Sequence, residues 1–221
     1  MKYNYISSQK VPTMSAKLLW SHYDEILKLD NYNEINYYIK ISVEQNLSVR
    51  ELRARIKNNE YERLDYKTKE KLKENEINNE VTDYIKNPIL INNKNNYNEI
   101  SEKMLQKIIL EDIESFLKEL GSSFSFIGSE YKIKIGDRYN YIDLLLFNYE
   151  FNCFVVVELK VTELKKEHIG QIEVYMNYID NNLRKVTQDK TIGIIICKKD
   201  NKFIIEYASD KRILSREYEL V

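Results

Sequence analysis

Tyr141-Ile142-Asp143-Leu144-Leu145-Leu146-Phe147 and Phe154-Val155-Val156-Val157-Glu158-Leu159-Lys160 are the two stretches on which the reading of this chain turns. Each is apolar enough for a buried strand, yet each carries charge. Ionised groups are seldom buried without partners, because desolvation costs several kcal/mol per ion. Side chains alternate faces along a strand, so Glu158 and Lys160 point the same way. Asn148 to Asn152 reads as a turn, and an antiparallel hairpin then sets Asp143 beside Glu158. The competing reading is a structural ion pair at a sheet edge. A bound divalent cation explains two carboxylates and one ammonium together. Mg²⁺ (or Mn²⁺) takes about six oxygens and keeps several waters, so Asp143, Glu158 and the backbone carbonyl of Leu159 are enough protein ligands. Such an ion polarises a phosphoryl oxygen and acidifies water, and Lys160 then orients the attacking water and meets developing charge.

Around this pair the pattern is that of an α/β domain. Leu105, Ile108, Ile109, Ile113, Phe116, Leu117 and Leu120 form one stripe, predicting a helix that Gly121 ends. Tyr131, Ile133 and Ile135 alternate with lysines and predict a half-buried strand, followed by a turn at Gly136-Asp137-Arg138. A helix is expected over residues 166–182, then strands at Ile192–Ile196 and Phe203–Tyr207. The order α-β-β-β-α-β-β fits a mixed sheet.

The first hundred residues read as helical. Ile35, Tyr38 and Ile39 keep helical spacing, and Ser48 followed by Glu51 is a capping box. Pro88 and Asn92-Asn93-Lys94-Asn95-Asn96 suggest a connector, so the expected domains are 1–90 and 91–221. The chain as a whole is therefore expected to be α+β, a helical domain followed by an α/β core. Arg50, Arg53, Arg55 and Lys57 line one short helix. The ordinary fate of such a run is a solvated face. Its competitor is phosphate contact by a helix-turn-helix-like unit. Arg138, beside Tyr139 and Tyr141, is a further candidate for steering a phosphate backbone.

Several segments resemble the YhcG-type family of the PD-(D/E)XK nuclease superfamily. They are Phe116-Leu117-Lys118-Glu119-Leu120-Gly121, Tyr141 to Phe147, Val157 to Lys160, Gly170-Gln171-Ile172-Glu173-Val174-Tyr175 and Ile192 to Cys197. Trp20-Ser21-His22-Tyr23 and Ser48 to Leu52 resemble the family's helical N-terminal domain. The resemblance implies a restriction-endonuclease-like core, metal binding by Asp143 and Glu158, and a catalytic Lys160. It also implies a supporting Gln171, paired with Tyr175. Superfamily members often add a glutamate from the first core helix. The sequence offers Glu111 and Glu114, with Gln106 where a relative's glutamate aligns, and Glu114 is taken.

Composition excludes other classes. Lys plus Arg number 34 against 35 Asp plus Glu, a net charge of −1, so no bulk positive charge holds nucleic acid. Two cysteines and two histidines leave no zinc spacing. No apolar run approaches the roughly 20 residues of a membrane span, and a cytoplasmic protein is expected. The expected activity is hydrolysis of phosphodiester bonds in DNA, with RNA and branched DNA left open and a homo-oligomer compatible. The alternative is a catalytically inactive module for nucleic-acid binding or assembly.

Overall fold

The structure, a computed structural model, describes residues 18–74, 80–208 and 210–221 and divides into a unit ending at Asn79 and a unit Glu80–Val221.

The first unit holds helices α1 (Trp20–Ile26), α2 (Tyr32–Glu44), α3 (Val49–Lys57) and α4 (Tyr66–Glu74). The predicted capping box starts α3: Ser48 Oγ accepts from the Glu51 amide at 3.2 Å and Glu51 Oε2 accepts from the Ser48 amide at 2.9 Å. Ile26, Ile35, Tyr38 and Leu52 form its core. Two of the candidate arginines are engaged within the unit. Arg53 pairs with Glu25 at 2.6 Å, and Arg55 pairs at 3.2 Å with buried Glu60, which also accepts from the Tyr37 hydroxyl. Arg50 and Arg53 are exposed and Arg55 is half-buried, and of these three candidates for phosphate contact Arg50 alone makes no ion pair among the described residues.

The second unit runs from a 3₁₀ turn (Val81–Tyr84) through β1 (Ile89–Ile91), α5 (Glu102–Glu111), α6 (Ile113–Leu120), β2 (Phe124–Ile135), β3 (Arg138–Asn148), β4 (Cys153–Glu163), α7 (Lys166–Asn182), β5 (Ile192–Lys199), α8 (Lys202–Glu206) and β6 (Ile213–Leu220). The six strands order as β1-β6-β5-β4-β3-β2, with β2–β3 and β3–β4 antiparallel and the others parallel. The mixed sheet and helix α7 are as the sequence predicts.

Four details differ. The boundary lies at Glu80 rather than residue 91, because Ile89–Ile91 pairs with Tyr218–Leu220 and belongs to the sheet. The long helix is two, broken at Asp112, whose carboxylate takes a hydrogen bond from Asn92 and an ion pair from Lys94, both at 2.9 Å. Residues 203–207 mostly form the short helix α8 rather than a strand; a brief apolar run fits either element. The sixth strand is instead Ile213–Leu220, where Arg216 and Glu217 hide a buried Ile213-Leu214-Ser215.

Two apolar layers cover the sheet. Leu105, Ile108 and Ile109 of α5 pack with Leu144, Leu146, Val155 and Val157, while Ile172, Met176 and Ile179 of α7 pack with Ile142, Leu145, Val156 and Ile195. Glu158 and Lys160, inside β4, are therefore buried in a strand that helices cover on both faces. At Gly193 the close approach of α7 demands glycine. A Cβ there would lie 2.6 Å from Met176 Sδ and 2.9 Å from an Ile172 methyl. Gly193→Ala is expected to lower the unfolding free energy by about 1–3 kcal/mol, measured by urea denaturation, because overpacked cores must shift. An unchanged midpoint would mean that α7 moves away at no cost.

Candidate active site

The β3–β4 ladder runs from Asn148↔Cys153 to Leu144↔Val157 and stops there. One position beyond lie Asp143 and Glu158, near enough for the Asp143 charge to act on the Glu158 carboxyl. The Leu159 amide, which a longer ladder would give to a backbone carbonyl, instead donates to Asp143 Oδ2 at 2.7 Å. On the other side of Asp143 the β2–β3 register passes from Ser129↔Leu144 to Tyr131↔Ile142, with Glu130 between them at φ 46°. The chain is thus irregular on both sides of the carboxylate, and α5 steadies it: Gln106 Nε2 donates to the Asp143 carbonyl at 2.9 Å.

Glu158 is 1% exposed. Its Oε2 lies 3.4 Å from Lys160 Nζ, and its Oε1 has no hydrogen-bond partner among the described residues. Lys160 Nζ is also 3.8 Å from Glu102 Oε2, at the start of α5. Burial, then the neighbouring Asp143 charge, pushes the Glu158 carboxyl up to about 8, against the pull of Lys160. Burial also raises Asp143 above the usual carboxylate range, against the Leu159 amide and Lys160. Like charges on adjoining buried carboxylates oppose each other's ionisation, and a cation between them removes that penalty.

The donor set fits a divalent cation. An orphaned, buried carboxylate oxygen costs free energy unless something absent from the chain meets it. Asp143 engages the chain through Oδ2 alone. Among the described residues no group of three His, Cys, Asp or Glu gathers as a metal cluster. The chain therefore offers two carboxylates, a number suited to an ion that keeps most of its waters.

The structure brings Asp143, Glu158, Leu159 and Lys160 together. It does not bring Glu114 there: that side chain is 79% exposed on α6 and pairs with Lys118 at 2.7 Å. The expectation of Glu114 as a ligand is corrected, because the helix facing the site is α5, with Glu102 and Gln106. Gln171, half-buried on α7, donates to the Tyr175 hydroxyl at 3.2 Å rather than to the carboxylates. Arg138 stands exposed at the tip of the β2–β3 hairpin. His168 is buried one turn before Gln171, and burial followed by the Lys160 charge lowers its basicity. Glu102 and His168 occupy helix positions where a polar residue is unremarkable, so no sequence signal marks them. Both cysteines are buried with thiols pushed up by burial, Cys153 to about 11 and Cys197 to about 12, which leaves them inert at neutral pH.

An Asp on one strand and Glu-X-Lys on the next, meeting where their ladder opens and flanked by helices on both faces, define a restriction-endonuclease-like core. The model of the YhcG PDDEXK nuclease domain matches residues 82–221, and that of the DUF1016 N-terminal domain matches residues 2–63. The chain belongs to the YhcG PDDEXK nuclease domain family. It is 26% identical over 219 residues to the protein named "Putative nuclease YhcG" of Escherichia coli (strain K12), covering 94% of this chain and spanning 58% of that relative. A repair endonuclease from Pyrococcus abyssi (17% identity) and EndoMS in complex with dsDNA (19% identity) are similar over 57% of this chain and 48% of theirs, each with a TM-score of 0.37. No helix of the described residues is long and apolar enough to cross a membrane.

Proposed function

We propose that the second unit is a divalent-metal-dependent nuclease that hydrolyses phosphodiester bonds in DNA. The observation that carries this reading is the unpartnered Oε1 of Glu158, buried beside Asp143 and Lys160. A Mg²⁺ or Mn²⁺ ion held by Asp143, Glu158 and the Leu159 carbonyl supplies Lewis acidity toward a phosphoryl oxygen and toward water. Lys160 orients the attacking water and offsets the charge that grows on the phosphorane-like transition state. Glu102, within ion-pair reach, holds the ammonium when substrate is absent. Gln106 fixes the backbone of Asp143, which keeps the carboxylate aimed while the ladder is open. Gln171, braced by Tyr175, supports the site from α7. The helical unit contributes nucleic-acid contact through Arg50, with Arg138 doing so from the hairpin tip.

The test joins stability to activity. In EDTA, titration with Mg²⁺ or Mn²⁺ should raise the melting temperature of the 221-residue chain, since a ligand that binds only the folded state stabilises it by mass action. The same ions should switch on cleavage of circular or linear DNA. A melting temperature indifferent to both ions, with DNA left intact, overturns the proposal.

A further inference from the structure

The β2–β3 hairpin extends past the site as a ribbon with two unlike faces. Ile133 and Ile142, with half-buried Tyr131 and Ile135, pack into the layer under α7. The alternate residues face the other way. Lys132 lies opposite Tyr141 and Lys134 opposite Tyr139, and all four are exposed, Tyr139 by 56% and Tyr141 by 53%. Lys132 Nζ sits 3.8 Å from the centre of the Tyr139 ring. Among the described residues no carboxylate pairs with Lys132, Lys134 or Arg138. The outer strand of a sheet commonly carries lysine to discourage edge pairing. That accounts for the two lysines on β2 but not for two exposed tyrosine rings on β3, at positions paired with β2 and lying beyond the last β3–β4 pair.

The open face runs toward the helix that holds the Asp143 backbone. It lies on the α5 side of the sheet, since the opposite face is the one under α7. Between α5 and the Ser129–Glu130 bend is a groove of about 570 Å³ lined by Lys103, Gln106 and Lys107. Gln106 is the residue that donates to the Asp143 carbonyl. Glu111, also on that wall, is engaged by Tyr97, Asn95 and Lys107. Glu130 is the groove's other acid.

Cations interleaved with ring faces match a polyanion whose bases are free to stack. A duplex offers phosphates but keeps its bases stacked on each other, so it has no use for Tyr139 and Tyr141. Those rings lie two residues apart, about 6.8 Å along the strand, giving two separate stacking surfaces. We infer that this face of the β2–β3 hairpin binds an unpaired segment of DNA and leads it toward Asp143, its bases on Tyr139 and Tyr141 and its phosphates on Lys132, Lys134 and Arg138. The nuclease reading supplies the reason for that route, so the two must be tested apart.

The measurement is fluorescence anisotropy in EDTA, where no cutting occurs, with a short mixed-sequence single-stranded oligonucleotide and a hairpin duplex of equal charge. The doubly substituted Tyr139→Ala/Tyr141→Ala chain should lose at least about thirtyfold in single-strand affinity, at the low end of two stacked bases, and keep its duplex affinity. Tyr139→Phe/Tyr141→Phe should bind as wild type, which separates stacking from the hydroxyls. Lys132→Ala/Lys134→Ala should flatten the salt dependence of single-strand binding by roughly 0.7 log units per log unit for each phosphate no longer neutralised. All six substitutions fall on exposed positions, and circular dichroism verifies folding. Single-strand affinity unchanged in the Tyr→Ala chain, or reduced equally for both probes, overturns the inference. A wild type that binds the single strand with these properties yet cuts no DNA with Mn²⁺ overturns the nuclease reading and leaves this one standing.

Discussion

Asp143→Ala is expected to abolish both DNA cleavage and the ion-dependent rise in melting temperature, whereas Lys160→Ala loses cleavage and keeps the rise. The asymmetry follows from the donor inventory. Asp143 is one of two carboxylates that the described residues place at the open end of the ladder, so its loss halves the charge they offer an ion. Lys160 has no ligand oxygen, and removing it takes away positive charge that competes for Glu158. The rate in Lys160→Ala should fall by about 10²–10³-fold, the usual effect of deleting one transition-state donor. Asp143→Ala also strips the Leu159 amide of its acceptor, at about 1–3 kcal/mol. Asp143→Asn therefore belongs beside it, because an amide oxygen still accepts that bond. Cleavage surviving in both Asp143→Asn and Lys160→Ala would sink the assignment.

Glu158→Gln should do something unusual for an active-site change and stabilise the protein without metal at pH 8. Burial and Asp143 raise the Glu158 carboxyl from 4.5 to about 8 in the folded chain. The folded value lies above the unfolded one, and the protonated form is the neutral one. Stability from this group is thus present below about pH 4.5 and is lost as pH rises toward 8. At about 1.4 kcal/mol per unit the total reaches several kcal/mol, and glutamine, which cannot ionise, avoids it. The variant should melt roughly 10 °C or more higher than wild type in EDTA at pH 8, at about 2–4 °C per kcal/mol for a domain of this size. It should also show a flatter melting profile between pH 5 and 8. With Mg²⁺ the order should reverse, because only wild type gains from binding. A lower melting temperature for Glu158→Gln in EDTA would mean that the Lys160 contact dominates and Glu158 is a structural ion-pair partner.

Legibility in the sequence followed burial. Asp143, Glu158 and Lys160 stand out because an apolar strand gives no reason for charge, and that contradiction is visible without coordinates. Glu102 and His168 lie on amphipathic helices, where one polar residue looks like any other and only the packing of α5 and α7 aims it inward, and Gln106 is marked only by its alignment with a relative's glutamate. Glu114 fits by spacing alone. It is displaced because the break at Asp112 starts a new helix and redirects the stripe. The β1 and β6 strands were hidden for different reasons. Ile89–Ile91 is too short to show a period, and Ile213–Leu220 carries Arg216, whose guanidinium donates to the Ile85 carbonyl, and Glu217, whose backbone amide donates to the Asn87 side chain. Tertiary contact, absent from local pattern, decided both. The helical unit was legible as helices and one capping box, but the partners of Arg53 and Arg55 come from residues distant or nondescript in sequence.

The strand order β1-β6-β5 has a consequence for biosynthesis. Ile89–Ile91 has no neighbour in the sheet except β6, so it must wait for residues 213–220 to leave the ribosome before it can dock. The β3–β4 hairpin, with only a short turn between its strands, can close long before that. A nascent chain thus holds its paired acids early and its outer sheet late, and the parallel edge of β5 stays bare in the interval. Ribosome-stalled intermediates should accordingly gain protease resistance at the hairpin first and at residues 89–91 only after β6 has emerged, as expected for pairings of large sequence separation.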